Sequence, residues 1–279
     1  MKPILNYKNY IFTTFLCFIT FTGCDYFEEE KVIKPDNKIE EKKVEEKEQD
    51  EIKVNIPKPK DINITDKNLS IISTVAPKKE IELKKDFISV SEKKQYFKDT
   101  LIPLVVEVYI RLQIQYQVIQ KDIILNQNQE LIKKLMAKYK VDNRKRLLEA
   151  LKPHPISITL AQAATESAWL TSRFVHEGKN IFGVWSFNKN EPRIQALDSR
   201  GSKVIYLKKY KTLKKSIEDY YYILATNKAY KDFRQMRVVT YNPYVLIPYL
   251  KYYSEKREEY TDILKSVLEY NKFTKYDIK

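Results

Sequence analysis

Apolar residues fall into three regimes along this chain. Residues 10–21 (YIFTTFLCFITF) form a nearly unbroken apolar run, and residues 25–92 show no sustained apolar face. From Ser91 onward apolar positions recur every three or four residues, the period of one helix face. Tyr96, Phe97, Leu101, Leu104, Val105, Val108, Tyr109, Leu112 and Tyr116 predict a first helix, with a kink or break at Pro103. Further periodic stretches cover about 118–141 and 143–152. Pro153 and Pro155 then stop the chain, and Ser157 is the expected N-cap of a compact helix running to Ala168. Between Val184 and Tyr210 the texture changes: 193–196 and 203–207 look like short strands, with turn-like residues at 188–192 and 199–202. Helices are expected again at 213–227, 231–237, 245–254 and 260–270. The pattern predicts a mostly α domain with one small β-hairpin and no internal repeat, preceded by a disordered tether.

The first regime has the form of an export signal. Lys2 and Lys8 precede the apolar run, and Thr22-Gly23-Cys24 ends it. About 12 apolar residues are too few for a bilayer, which takes about 20. The Gly23-Cys24 junction resembles a bacterial lipobox, with Phe21 where that motif usually has Leu; Cys24 would then carry lipid and become the mature N-terminus. An ordinary cleaved signal or an uncleaved anchor are the alternatives. The second regime is dense in mixed charge, as in Glu28-Glu29-Glu30, and cannot bury enough surface to offset its chain entropy. This divides the chain into a signal (1–23), a lipidated Cys with a charged tether (24–91) and a folded domain (92–279). The expected location is the cell envelope, with the membrane reached through a lipid anchor.

Charge adds the partner. The 51 Lys and Arg against 37 Asp and Glu leave a net +14. Between residues 25 and 60 the 12 acids and 9 bases nearly cancel, so the surplus belongs to the folded domain. An anionic partner is implied, and export makes a wall polymer or lipid a better fit than nucleic acid. Beyond the N-terminal segment only Gly178, Gly183 and Gly201 remain, so neither GxGxxG nor a P-loop can be written. With Cys17 removed and Cys24 acylated no thiol is left for metal or catalysis, and His154 and His176 form no HExxH. No cofactor and no metal are expected, and the protein is expected to be a monomer.

Candidate chemistry concentrates in residues 158–187, ITLAQAATESAWLTSRFVHEGKNIFGVWSF. On a helical wheel Thr159, Gln162 and Glu166 fall within about 60° of one another among apolar and small residues. Glu166 then sits near a helix C-terminus beside Trp169, where desolvation and the helix dipole both favour its protonated form. A carboxylic acid held protonated is the general acid that glycosidic cleavage requires. A polar stripe on an apolar helix is also the ordinary signature of a solvent-facing side, and these residues alone leave both readings open.

The ordered motifs go further. The strings Ala161-Gln162-Ala163-Ala164-Thr165-Glu166-Ser167-Ala168-Trp169, Thr171-Ser172-Arg173-Phe174, Glu177-Gly178, Asn180 and Phe182-Gly183 closely resemble the Bax-type bacterial glucosaminidases. These are relatives of the flagellar and autolysin N-acetylglucosaminidases of glycoside hydrolase family seventy-three. The resemblance continues through Ala225-Thr226-Asn227-Lys228-Ala229-Tyr230, Phe233-Arg234, Leu250, Tyr253-Ser254-Glu255 and Glu259-Tyr260, and upstream in residues 97–104. It implies a lysozyme-like fold, an α lobe and a small β lobe with a sugar cleft between them. It implies an endo-β-N-acetylglucosaminidase acting on peptidoglycan glycan strands, with Glu166 as catalytic acid.

The same resemblance assigns Asn180, Phe182 and Gly183 to a turn that walls the cleft. It places Gln162, Trp169, Trp185 and Tyr220 against the substrate, with core packing the alternative for the aromatic residues. A second carboxylate, where the superfamily uses one, comes from the β lobe, which points to Glu191 or Asp198; Glu177 fits a structural role before Gly178. Alternatively the substrate's own acetamido group attacks the anomeric carbon. The hairpin lacks the cysteine pair that Bax-type proteins often carry, which sets Glu191 apart from the family pattern. Two other readings are a lytic transglycosylase, whose G-L-M-Q-type continuation is missing, and a catalytically silent wall-binding lipoprotein.

Overall fold

The computed structural model describes residues 83–196 and 204–278. The signal, Cys24, the tether and Asp198 lie outside the described residues. Helix α1 (Val90–Ile124) opens the described part, with Ser89 Oγ accepting from the Glu92 amide at 3.1 Å as its N-cap. It runs through Pro103 without breaking. The missing Pro103 amide costs one hydrogen bond. Burial of Phe97, Leu101, Leu104, Val105, Val108 and Tyr109 on both sides of it keeps the helix continuous. The second expected stretch is divided differently: α1 extends to Ile124, and α2 (Gln129–Tyr139) follows a turn with Asn126 and Asn128 at positive φ.

Helix α3 (Arg144–Leu151) is capped by Asn143. Helix α4 (Ile156–Glu166) follows and is the centre of the core; it packs against α1, against α9 (Glu258–Tyr270) and against a 3₁₀ turn at Phe273–Tyr276. Its start corrects the sequence reading. Pro155, not Ser157, precedes the helix, and Ser157 gives its amide and its hydroxyl to the two oxygens of Asp277, both at 2.7 Å. A carboxylate from the far end of the chain thus does what a local cap was expected to do, beside the positive end of the helix dipole.

A short helix α5 (Arg173–Gly178) leads to the hairpin, β1 (Arg193–Gln195) and β2 (Tyr206–Lys208), paired antiparallel with Ile194 opposite Leu207. Trp185 bridges to the other side of Leu207, so residues 184–186 add a third edge. Among the described residues the second strand covers 206–208 of the expected 203–207, and its fully buried Leu207 sets the register opposite Ile194. Gly178 lets this ribbon close on α5: a Cβ there would stand 2.4 Å from Ile194 Cδ1. Helices α6 (Leu213–Thr226), α7 (Lys231–Val239) and α8 (Pro243–Leu246), with 3₁₀ turns at Lys228–Tyr230 and Ile247–Tyr253, complete the α lobe. The fold is mostly helical with one two-stranded sheet, as the pattern predicted.

Candidate active site

Glu166 is the last residue of α4, and the chain turns sharply behind it. Ala168, Trp169 and Leu170 all have positive φ, at 50°, 64° and 68°. Left-handed backbone costs about 1–2 kcal/mol per non-glycine residue, so three in succession need compensation. It comes from a local hydrogen-bond knot: Ser167 Oγ donates to Ala163 O at 2.5 Å and accepts from the Leu170 amide at 2.8 Å. Trp169 N also reaches Ala164 O at 3.0 Å, and Ser172 N reaches Ser167 O at 3.0 Å. This knot ends the helix at Glu166, two residues before the expected Ala168, and holds the carboxyl at the helix terminus.

The polar stripe of α4 does not face solvent. Thr159 and Gln162 are both 0% exposed, and Glu166 is partly exposed at the end of the row. Tyr260 of α9 donates to Glu166 Oε1 at 2.8 Å. Gln162 Nε2 donates to the Tyr260 oxygen at 2.8 Å, and Gln162 Oε1 accepts from Tyr220 of α6 at 2.6 Å. With its proton on Gln162, Tyr220 accepts from His154 Nε2 at 3.1 Å, and the same N–H lies 3.0 Å from Thr159 Oγ1, which in turn donates to Tyr221 at 2.9 Å. The donor order therefore assigns the proton of neutral His154 to Nε2. Its Nδ1 is buried without a hydrogen bond, and burial, reinforced by the charge of Arg237, holds the imidazole well below its usual pKa. Burial likewise raises the Tyr220 phenol well above its ordinary range. The row is a neutral hydrogen-bonded relay of fixed direction, ending on a carboxylate at the protein surface.

The turn at residues 180–183 is clamped to this relay. Phe182 stacks on Tyr220 with centroids 4.0 Å apart and 11° between planes. Tyr253 donates to Phe182 O at 3.1 Å while its ring lies parallel to Tyr260, 5.8 Å away. Asn180 holds the turn from inside, donating to Val184 O at 2.9 Å and Lys208 O at 3.0 Å and accepting from Val184 N at 3.0 Å. Gly183 takes φ 63°, the conformation that favours glycine.

The structure thus gathers Glu166, Gln162, Tyr220, Phe182 and Asn180 into one framework. Gln162, Asn180, Phe182 and Tyr220 are all buried within it. Trp169 packs edge-on against Phe97 at 5.0 Å, with Lys94 Nζ 4.8 Å above its ring. Trp185 belongs to the hairpin cluster around Leu207, with Phe187, 70% exposed, 6.0 Å from it. Glu191 accepts from Ser186 Oγ at 2.7 Å, and among the described residues it makes no contact with the relay. Asp198 lies outside the described residues. Tyr260, Tyr253 and His154 are the residues whose part the sequence did not disclose; the tyrosines lie 94 and 87 positions beyond Glu166, which no local pattern connects.

Part of the chain is similar to known proteins. Residues 142–273 match the glucosaminidase family model, described as mannosyl-glycoprotein endo-β-N-acetylglucosaminidase. The matched region contains α3, α4, the hairpin and all of α9, and so both Glu166 and Tyr260. Among solved structures, the catalytic domain of the autolysin Auto from Listeria monocytogenes is similar at 17% identity, with 68% of this chain and 91% of that one covered and a TM-score of 0.45. No curated protein matches the chain.

Proposed function

We propose that this chain, whose residues 142–273 match the glucosaminidase family model, cleaves the β-1,4 bond that follows N-acetylglucosamine in peptidoglycan, with Glu166 as general acid. The observation that carries the reading is the Tyr260–Glu166 hydrogen bond at a helix terminus that reaches the surface. Because Tyr260 donates to Oε1, that oxygen is fixed as an acceptor, and a proton on the carboxyl resides on Oε2. From there it passes to the glycosidic oxygen as the bond to the anomeric carbon breaks.

The relay keeps its direction because every member is neutral and has its donor and acceptor assigned. The oxocarbenium-like carbon is then met by water, by a β-lobe carboxylate or by the substrate's acetamido oxygen. The net charge of +14 suits an acidic wall polymer, and the lipobox-like Gly23-Cys24 supports anchoring in the envelope by lipid on Cys24.

The test is to digest purified peptidoglycan with the protein, reduce the products and identify the new ends by mass spectrometry. Reducing N-acetylglucosamine ends are expected. Anhydromuramyl ends would mark a transglycosylase instead, and no release would mark a silent wall-binding protein.

A further inference from the structure

A cavity of about 520 Å³ lies between α1, α2, the end of α3, the base of the hairpin and α6, and neither Glu166 nor Tyr260 lines it. Its charges are unbalanced. The three carboxylates in its wall are all engaged: Glu218 with Arg111 and Lys215, Asp219 with Lys208 and the Tyr210 hydroxyl, and Glu191 with Ser186. Four further cations in the wall, Lys138, Lys152, Lys209 and Arg237, touch no carboxylate among the described residues.

Two of these cations are held out of bulk water. Arg237 is 1% exposed and gives Nε and Nη2 to the carbonyls of Glu149 and Ala150, at 2.9–3.3 Å, at the C-terminal end of α3. Burial, and then the charge of Arg234, push its pKa down to about 9, so it remains a cation at neutral pH. Lys152 is half-buried, with Nζ on Val238 O at 3.1 Å and near the rings of Tyr116 and Tyr241; burial and the charge of Arg237 lower its pKa. Buried cations without a counter-charge are costly, and the cost falls when an anion enters. The lining also carries an aromatic pair: the rings of Tyr139 and Tyr222 stand 5.7 Å apart, and Leu112 and Leu151 line the same cavity. The volume lies in the range of small-molecule sites.

We propose that this cavity binds an acidic carbohydrate, with the sugar ring against Tyr139 and Tyr222 and its carboxylate or phosphoryl group on Lys152, Lys138 and Lys209, while the buried Arg237 adds its charge to the wall without touching the ligand. It is a second site, outside the Glu166 framework, that would hold the charged wall polymer while the bond is cut; the source of the ligand rests on the peptidoglycan reading, the chemistry of the site does not.

The experiment is calorimetry on the full-length Glu166→Gln protein, in which turnover is removed, with N-acetylmuramic acid, N-acetylglucosamine 6-phosphate and neutral N-acetylglucosamine as probes. At least one charged sugar is expected to bind ten-fold or more tightly than the neutral one. Which charged sugar binds identifies carboxylate or phosphoryl as the natural group. Lys152→Met, which keeps the stem packing and removes the charge, should weaken that binding at least ten-fold. Should Lys152→Met not fold, the exposed pair Lys138→Glu and Lys209→Glu takes its place, with the same expectation. Equal affinity for charged and neutral sugars, or affinity that survives these changes, overturns the proposal. Peptidoglycan cleavage by the unmodified protein is scored separately, so loss of one reading leaves the other standing.

Discussion

Tyr260 donates a 2.8 Å hydrogen bond to Glu166 Oε1 across 94 positions of sequence, and Gln162 donates to the same tyrosine oxygen from one turn back along the glutamate's own helix. The candidate acid is therefore oriented from two directions, by α9 and by α4. Which oxygen carries the proton follows from this pairing and not from the carboxyl itself.

Tyr260→Phe is expected to lower kcat by about 10-fold through loss of orientation. Removing a donor to a carboxylate also raises its pKa, so the acid stays protonated to higher pH. The alkaline limb of the kcat/KM profile should move upward. A variant slowed with an unmoved limb would show that Tyr260 acts only in packing.

Gln162→Leu removes the buried acceptor of the Tyr220 proton and the amide that donates to the Tyr260 oxygen. A loss of about 1–3 kcal/mol in urea unfolding is expected. Gln162→Glu should be worse than Leu, because it buries a charge in a row with no cation on it.

His154 gives stability a pH dependence. Its folded pKa lies below the ordinary 6.5, so it stabilises fully above that value, and stability is lost as pH falls from about 6.5 toward the depressed folded value. The unfolding midpoint should fall between pH 7 and pH 5. The slope should flatten in His154→Gln relative to the unmodified protein.

Asp277→Ala removes the carboxylate that receives both the amide and the hydroxyl of Ser157. By analogy with other N-cap losses, about 1–2 kcal/mol of stability should go. Asp277→Asn should recover part of it, since its amide oxygen still accepts one bond.

Much of this architecture was legible in the chain. Apolar spacing located nearly every helix because each buries one face, and the run of Thr159, Gln162 and Glu166 was visible as a stripe. The direction of the stripe was not legible: its partners, Tyr220, Tyr221 and Tyr260, come from helices 50 to 100 positions away, and periodicity describes a face without saying what meets it. The same distance hid the Asp277 cap from a reading that looked for local capping at Ser157. Pro103 misled in the opposite sense, since a local rule for helix breaking is outweighed by burial along 35 residues of α1. The motif positions Gln162, Asn180, Phe182 and Tyr220 were legible from the resemblance, but their burial was not, because it depends on α6 and on residues after 240 that no local pattern ties to them.

The most direct measurement is turnover of peptidoglycan by Glu166→Gln, compared with the unmodified protein at equal concentration and equal melting temperature. Glutamine keeps the size and the acceptor for Tyr260 but has no acidic proton to give. Release of reducing N-acetylglucosamine ends should drop at least a hundred-fold, in line with the loss of a general acid. Full activity in the Gln variant would contradict the assignment of Glu166 and of the relay built around it.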